Sequence, residues 1–193
     1  MPAAEISPAT SIRRVAVIGA GQAGRRFALK CALAGFAVVL EDVMPANLRR
    51  AEAEFADLSF PNSDGKMGPG SMQFALTVED AVRDADIAID FVPDELESKL
   101  EIFCLIDRMA PPKTILCTPS YALSITDLAS CTYRAERCVA VRGDLATDSE
   151  IRMLYPAGMA VIGEVTEFFE RLGSRVESEG DPDAPMLMKN VVT

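Results

Sequence analysis

Gly19-Ala20-Gly21-Gln22-Ala23-Gly24 is the segment whose residue types and spacing most clearly prepare chemistry. It reads GxGxxG. It follows the apolar run Val15-Ala16-Val17-Ile18 and opens a helix-forming stretch from Arg25 to Ala34. The first glycine of such a loop makes a tight turn, the second lets backbone approach a pyrophosphate, and the third lets helix pack on strand. The anion then rests on the free amides of the helix N-terminus. A second apolar run, Val38-Val39-Leu40, leads into Glu41 and Asp42, and Asp42 falls 18 residues after Gly24. An acid at that distance accepts both ribose hydroxyls of an adenosine. Strand alternation points one of the two acids at the ribose, and Asp42 has the better spacing. Its charge repels a 2′-phosphate and no arginine follows directly, so the expected cofactor is NAD rather than NADP. Arg25 and Arg26, in the first helical turn, either touch phosphate or form a solvated helix face.

The chain has no histidine, the side chain most often used for general acid–base catalysis. Its five cysteines, Cys31, Cys104, Cys117, Cys131 and Cys138, form no CxxC and no metal-ligand spacing. They are expected as reduced core thiols of a cytoplasmic protein, with no metal site. The net charge of −10 and pI near 4.6 argue against nucleic acid or an anionic membrane as partner. No apolar run is long enough to span a bilayer.

The elements that must position this loop alternate strand and helix. Strands are expected at Val15–Ile18, Ala37–Leu40, Phe74–Leu76, Ile87–Val92, Thr114–Thr118, Cys138–Val141, Ile151–Leu154 and Ser174–Glu177. Helices are expected at Gln22–Ala34, Pro45–Leu58, Glu95–Met109 and Ala160–Leu172, with short ones capped by Thr77 and Ser124. Pro61 to Gly70 reads as a loop. The pattern implies an α/β Rossmann-type, doubly wound, mostly parallel sheet with helices on both faces. Such sheets bind ligands beyond the strand C-termini, where strand order switches. Residues 1–12 are expected as a flexible tail, 13–180 as the dinucleotide-binding domain, and 181–193 as an extension. Met186-Leu187-Met188 and Val191-Val192 in that extension suit an interface.

The segments VAVIGAGQAGRRFALKCALAGFAVVLEDV, ADIAIDFVPDELESKLEIF, APPKTILCTPSYALSITDLA and DAPMLMKNV carry a resemblance. From about Arg14 to Asn190 the chain resembles the N-terminal, NAD-binding domain of the 3-hydroxyacyl-CoA dehydrogenase family. The resemblance implies NAD and hydride transfer on a CH–OH group. It also implies further cofactor contacts from Asp94, where the family has Glu, and from Lys99, which reaches the nicotinamide-side ribose or a phosphate or is an ordinary surface lysine.

The family's catalytic pattern is altered. Its substrate-orienting Ser falls on Tyr121 and its neighbouring Asn on Pro119. Its general-base His falls on Arg142, the Asn that follows falls on Leu145, and the partner Glu falls on Leu154 or Glu150. Asn190 matches the family's late Asn. Arginine stays protonated at physiological pH and cannot be a general base. Tyr121 is therefore a candidate proton donor, its hydroxyl acidified by Arg142, or a loop aromatic packed on the cofactor. Arg142 is a candidate clamp for a substrate carboxylate, which favours small acids over acyl-CoA, or a structural ion-pair partner of Asp144, Asp148 or Glu150. The resemblance also implies a helical arm after Asp42 and a C-terminal helical domain, and neither is expected here. Three readings follow: a dehydrogenase with a reworked site, a non-catalytic NAD(H)-binding module or subunit of a larger assembly, or a split hydroxyacyl dehydrogenase whose substrate domain a partner subunit or dimer restores. A homo-oligomer or a partner subunit would complete the cleft under each.

Overall fold

The computed structural model describes residues 11–56, 70–156 and 161–183. β1 (Arg14–Ile18), β2 (Ala37–Glu41) and β3 (Met72–Ala75) lie to one side of the sheet. β4 (Ile87–Asp90), β5 (Ile115–Pro119), β6 (Cys138–Arg142), β7 (Glu150–Tyr155) and β8 (Arg175–Gly180) lie to the other. Spatial order is β3-β2-β1-β4-β5-β6-β7-β8. Pairings through β6 are parallel, β7 runs antiparallel to β6, and β8 runs parallel to β7. The order reverses between β1 and β4, so the crevice lies beyond Ile18 and Asp90.

Strand alternation sorts two cores. Val15, Val17, Val38 and Leu40 pack with α1 (Gln22–Leu33), α2 (Pro45–Phe55) and α6 (Ile162–Arg171). Ala16, Ile18 and Val39 pack with α3 (Val78–Val82), α4 (Leu96–Met109) and α5 (Ile125–Ala129). Phe27, Phe36, Phe168 and Phe169 are fully buried between α1 and α6. Burying each such ring contributes about 1.5–3 kcal/mol, which anchors α1 and the loop before it.

The short helices start where their caps expect. Thr77 Oγ1 accepts from the Asp80 amide, and Ser124 Oγ accepts from the Asp127 amide. The strand expected to reach Val92 ends at Asp90. There the Phe91 amide turns to the Ile18 carbonyl at 2.7 Å, and Pro93 follows. The final strand runs on to Gly180, because β7 offers it ladder partners as far as Tyr155.

Ordered contacts begin within the stretch expected as a tail. Ile12 is in the core, and Ser11 Oγ donates to Glu164 Oε2 at 2.6 Å. Leu58, residues 61–69, Ala160, Met186–Met188, Asn190, Val191 and Val192 lie outside the described residues. Among the described residues no helix is long and apolar enough to cross a membrane. No cluster of three or more His, Cys, Asp or Glu that could hold a metal occurs among the described residues. All five cysteines are free.

Candidate dinucleotide-binding site

β1 feeds the glycine loop into α1, and local geometry explains two of its glycines. Gly19 has φ of +101°, a conformation L side chains rarely adopt. At Gly24 a Cβ would stand 1.9 Å from the Gly19 carbonyl oxygen, so any side chain would push the turn open. Gly21 differs: a Cβ there meets nothing within 4 Å. It fronts open space, the cradle that a close-approaching anion would fill. Gly21 is the N-cap of α1, without a side-chain cap and with no acid in the first turn. The first helical bond runs from the Arg25 amide to the Gly21 carbonyl, so the amides of Gln22, Ala23 and Gly24 precede the ladder. Gln22 and Ala23 are exposed there.

Arg25 is not a solvated residue. It is buried, its Nε and Nη2 donate to Glu54, and its Nη1 donates to the Ala20 carbonyl at 2.9 Å. It therefore braces the loop from behind. Arg26 is exposed.

Asp42 closes the other side. Its Oδ2 accepts from the Ala20 amide and from Asn47 Nδ2, both at 2.9 Å, and its Oδ1 accepts from the Met44 amide at 2.8 Å. A carboxylate offers about four acceptor positions. Three are thus engaged, leaving about one on Oδ1 for a ribose hydroxyl, where the sequence suggested both hydroxyls. Asn47, in the first turn of α2, sits beside it. Sequence reading missed Asn47, although a polar residue just inside the helix after the acid was the available signal.

From Asp42 a cavity of about 500 Å³ runs toward α4. Gly19, Gly21, Asp42 and Asn47 line its near end, and Ile18, Val78, Val92, Pro93, Ile102 and Leu105 give it apolar walls. Glu41 lines it too, so both acids of the pair meet the cavity. Glu41 is only 2% exposed, and its buried Oε1 has no hydrogen-bond partner among the described residues. Burial first, and the Asp42 charge second, push its carboxyl up from 4.5 to about 7, against a lowering by the Gly19 amide.

The ends of β4 and β5 bring Asp94 and Tyr121 together: the Tyr121 amide donates to Asp94 Oδ2 at 2.9 Å. Tyr121 is 69% exposed. Lys99 does not reach this surface. It is 1% exposed, and its Nζ donates at 2.7 Å to Asp90 Oδ1, which is 0% exposed. Asp90 Oδ2 and Thr118 Oγ1 lie buried without a well-formed hydrogen bond. Burial pushes the Asp90 carboxyl up, against the pull of Lys99.

Arg142, at the end of β6, pairs with Asp183 at 2.7 Å, not with Asp144, Asp148 or Glu150. The segment after β8 reaches it because Asp181 Oδ2 accepts from Ser124 Oγ at 2.7 Å and from the Thr126 amide at 2.8 Å. Burial opposes that charge, but these donors outweigh it and hold Asp181 below the usual carboxylate range. Leu145 and Leu154, two positions where the resemblance expects polar catalytic groups, are packed in the core. Glu150 is exposed and pairs with Arg175 at 3.6 Å.

Residues 14–142 match the model of the 3-hydroxyacyl-CoA dehydrogenase NAD-binding domain. The chain belongs to this family. It is 33% identical over 136 residues to a probable 3-hydroxybutyryl-CoA dehydrogenase of Bacillus subtilis, covering 66% of this chain and 47% of that one. It is 30% identical over 137 residues to a 5-formyl-3-hydroxy-2-methylpyridine 4-carboxylate 5-dehydrogenase of Mesorhizobium japonicum, covering 66% and 43%. Among solved structures, a diketoreductase superposes with a TM-score of 0.76 at 26% identity, over 89% of this chain and 65% of that one. An (S)-3-hydroxybutyryl-CoA dehydrogenase from Ralstonia eutropha shares the fold, with a TM-score of 0.76 at 21% identity. The chain spans about half the length, or less, of these curated relatives.

The family's cofactor is NAD, and the residues present fit it. The loop leaves space at Gly21, the helix start lacks a side-chain cap, and the Asp42 carboxylate is held beside the loop by the Ala20 amide. Among the described residues the charged groups lining the cavity, Glu41, Asp42 and Glu101, are all acids, which disfavours a 2′-phosphate.

Proposed function

We propose that this chain is the NAD-holding part of an oxidoreductase acting on the CH–OH group of a small hydroxy acid or a 3-hydroxyacyl substrate. The observation that carries this is the continuity of the uncapped α1 N-terminus, the pinned Asp42 carboxylate and the cavity beyond it. Bound NAD would supply the hydride acceptor, and its reduced form the hydride. In this reading the amides of Gly21, Gln22, Ala23 and Gly24 hold the pyrophosphate. Gly19 and Ala20 shape the turn, the latter through its bond to Asp42. Asp42 and Asn47 take the adenosine ribose, and Asp94 takes the nicotinamide-side ribose. Lys99 acts indirectly, by holding the end of β4 through Asp90.

Tyr121 and Arg142 carry the remaining chemistry of this proposal. Tyr121 stands next to Asp94 and supplies or takes the hydroxyl proton. Arg142 binds a substrate carboxylate, which displaces Asp183 from the guanidinium. The carboxylate named in the Mesorhizobium relative's substrate supports a small acid. Five free cysteines suit the cytoplasm. The exposed Tyr121 suits completion of the cleft by a second copy or a partner subunit.

A second reading, a non-catalytic NAD(H)-binding module, is favoured by Leu145 and Leu154 in the core and by the ion-paired Arg142. NADH oxidation, followed by absorbance with a panel of 2- and 3-oxo acids and oxoacyl thioesters, separates the two. Turnover that falls about 10²–10⁴-fold in Tyr121→Phe supports the enzyme. Tight NADH binding with no turnover supports the module. Absence of NAD(H) binding overturns both.

A further inference from the structure

Beyond β8 the chain turns toward the ends of β5 and β6. β8 stays in the ladder with β7 to its last residue, and the Asp181 amide then donates to the Tyr155 carbonyl at 2.9 Å. The two carboxyl oxygens of Asp181 have different partners. Oδ2 accepts from Ser124 Oγ and from the Thr126 amide, which ties the segment to the start of α5. Oδ1 accepts from the Asp183 amide at 3.0 Å, an Asx turn that closes over Pro182. The proline ring fixes its own φ, so fewer conformations compete with this turn. The turn gives Asp183 a set direction, and its Oδ2 accepts from Arg142 Nη2 at 2.7 Å.

Residues 181–183 thus join the start of α5 to the end of β6. The Ser120 amide donates to the Val141 carbonyl at 3.1 Å, so the turn that carries Tyr121 sits beside the same strand end. The guanidinium assigned to a substrate carboxylate is therefore already engaged, and by a carboxylate of the chain itself. We propose that Asp181–Asp183 is an autoinhibitory strap, in which Asp183 stands in for a substrate carboxylate on Arg142 and Asp181 holds it there. This inference rests on the role given above to Arg142 and adds a regulation of that site.

The strap is held firmly at one end and loosely at the other. Asp181 accepts three hydrogen bonds at 2.7, 2.8 and 3.0 Å. Asp183 is joined to Arg142 through one N–H, and the two side chains are 42% and 18% exposed. Ion pairs open to water are weak. A guanidinium offers its N–H groups to a carboxylate in parallel pairs, so an incoming acid that engages two of them exceeds the contact it replaces. Tethering favours Asp183 in return, because the strap does not diffuse away. An uncharged carbonyl group has no charge to exchange for Asp183, so free acids are the class of ligand that opens the strap.

Equilibrium titration with oxamate, an unreducible analogue of a 2-oxo acid, in the presence and absence of NADH tests this. Asp183→Asn should tighten oxamate binding about three- to tenfold, the scale of releasing one partly exposed, tethered ion pair. Asp181→Ala should give a gain of the same kind with Asp183 intact, because the anchor is gone. Glu179→Gln removes an equal charge from β8, outside the strap, and should leave binding within about twofold of the native protein. Arg142→Gln should abolish it. Native and Asp183→Asn proteins that bind oxamate equally, with binding still lost in Arg142→Gln, overturn the strap and leave the Arg142 clamp standing. So does a Glu179→Gln protein that gains as much as Asp183→Asn, because the gain is then one of general charge. Absence of oxamate binding from the native and Asp183→Asn proteins alike overturns the clamp and the strap together.

Discussion

Lys99→Met removes the positive half of a buried ion pair and leaves the negative half in place. Lys99 Nζ lies 2.7 Å from Asp90 Oδ1, with the residues 1% and 0% exposed. Among the described residues no other cation is hydrogen-bonded or ion-paired to Asp90. Breaking a buried pair from one side typically costs about 3–5 kcal/mol. Total stability of a domain is about 5–15 kcal/mol, so the loss is a large fraction of it. Methionine fills most of the lysine volume, so little of the loss comes from a cavity.

The pH dependence has a definite sign. Without Lys99 the native Asp90 carboxyl rises further above its unfolded value of about 3.9. The native state then holds a proton that the unfolded state has released. Stability therefore falls as pH rises from the unfolded value to the native one, and the penalty is smaller at pH 5 than at pH 8. Urea denaturation at the two pH values measures both quantities. Adding Asp90→Asn to the lysine variant removes the stranded charge and should recover most of the loss. A single variant that loses less than about 1 kcal/mol, with no pH dependence, would refute the structural role. If it kept its stability but lost NAD affinity, Lys99 would be a direct cofactor contact.

Gly24→Ala sets a Cβ 1.9 Å from the Gly19 carbonyl oxygen, so it should cost about 1–3 kcal/mol and weaken NADH binding. A lowered melting temperature in a thermal scan, together with a titration, checks this. Asp42→Ala removes the proposed ribose acceptor and frees the Ala20 amide, Met44 amide and Asn47 amide side chain. It should lower NAD affinity about 10–100-fold and narrow the preference over NADP, measured by calorimetry. Glu41 rises from 4.5 to about 7, so the native state holds a proton that the unfolded state loses between those values. Its contribution therefore falls by about 3 kcal/mol as pH climbs from 4.5 to above 7. Urea midpoints at pH 5 and pH 8 should show Glu41→Gln gaining on the native protein at the higher pH.

Local rules made much of the fold legible. The Val15–Ile18 and Val38–Leu40 runs, the Thr77 and Ser124 caps and the 3.6-residue spacing of Leu96, Leu100, Phe103 and Ile106 each act over a few residues. The antiparallel entry of β7 was not legible, because alternation of apolar residues is the same in either strand direction. Lys99 illustrates a second limit. On a helix face it reads as a surface lysine or a phosphate contact, and its partner Asp90 belongs to a different element nine residues earlier.

The sequence by itself determined that this chain holds a dinucleotide. The turn, the helix start and the acid after the second strand are set by backbone conformation and short-range spacing, which residue types at Gly19, Gly24 and Asp42 specify directly. Tertiary structure alone decided what surrounds that ligand. It buried Lys99 against Asp90, joined Arg142 to Asp183, put Asn47 beside Asp42 and buried Glu41 Oε1 without a partner among the described residues. Those outcomes depend on contacts between elements that the sheet order brings together. The charge a carboxylate or an amine carries there depends on how much water that packing removes.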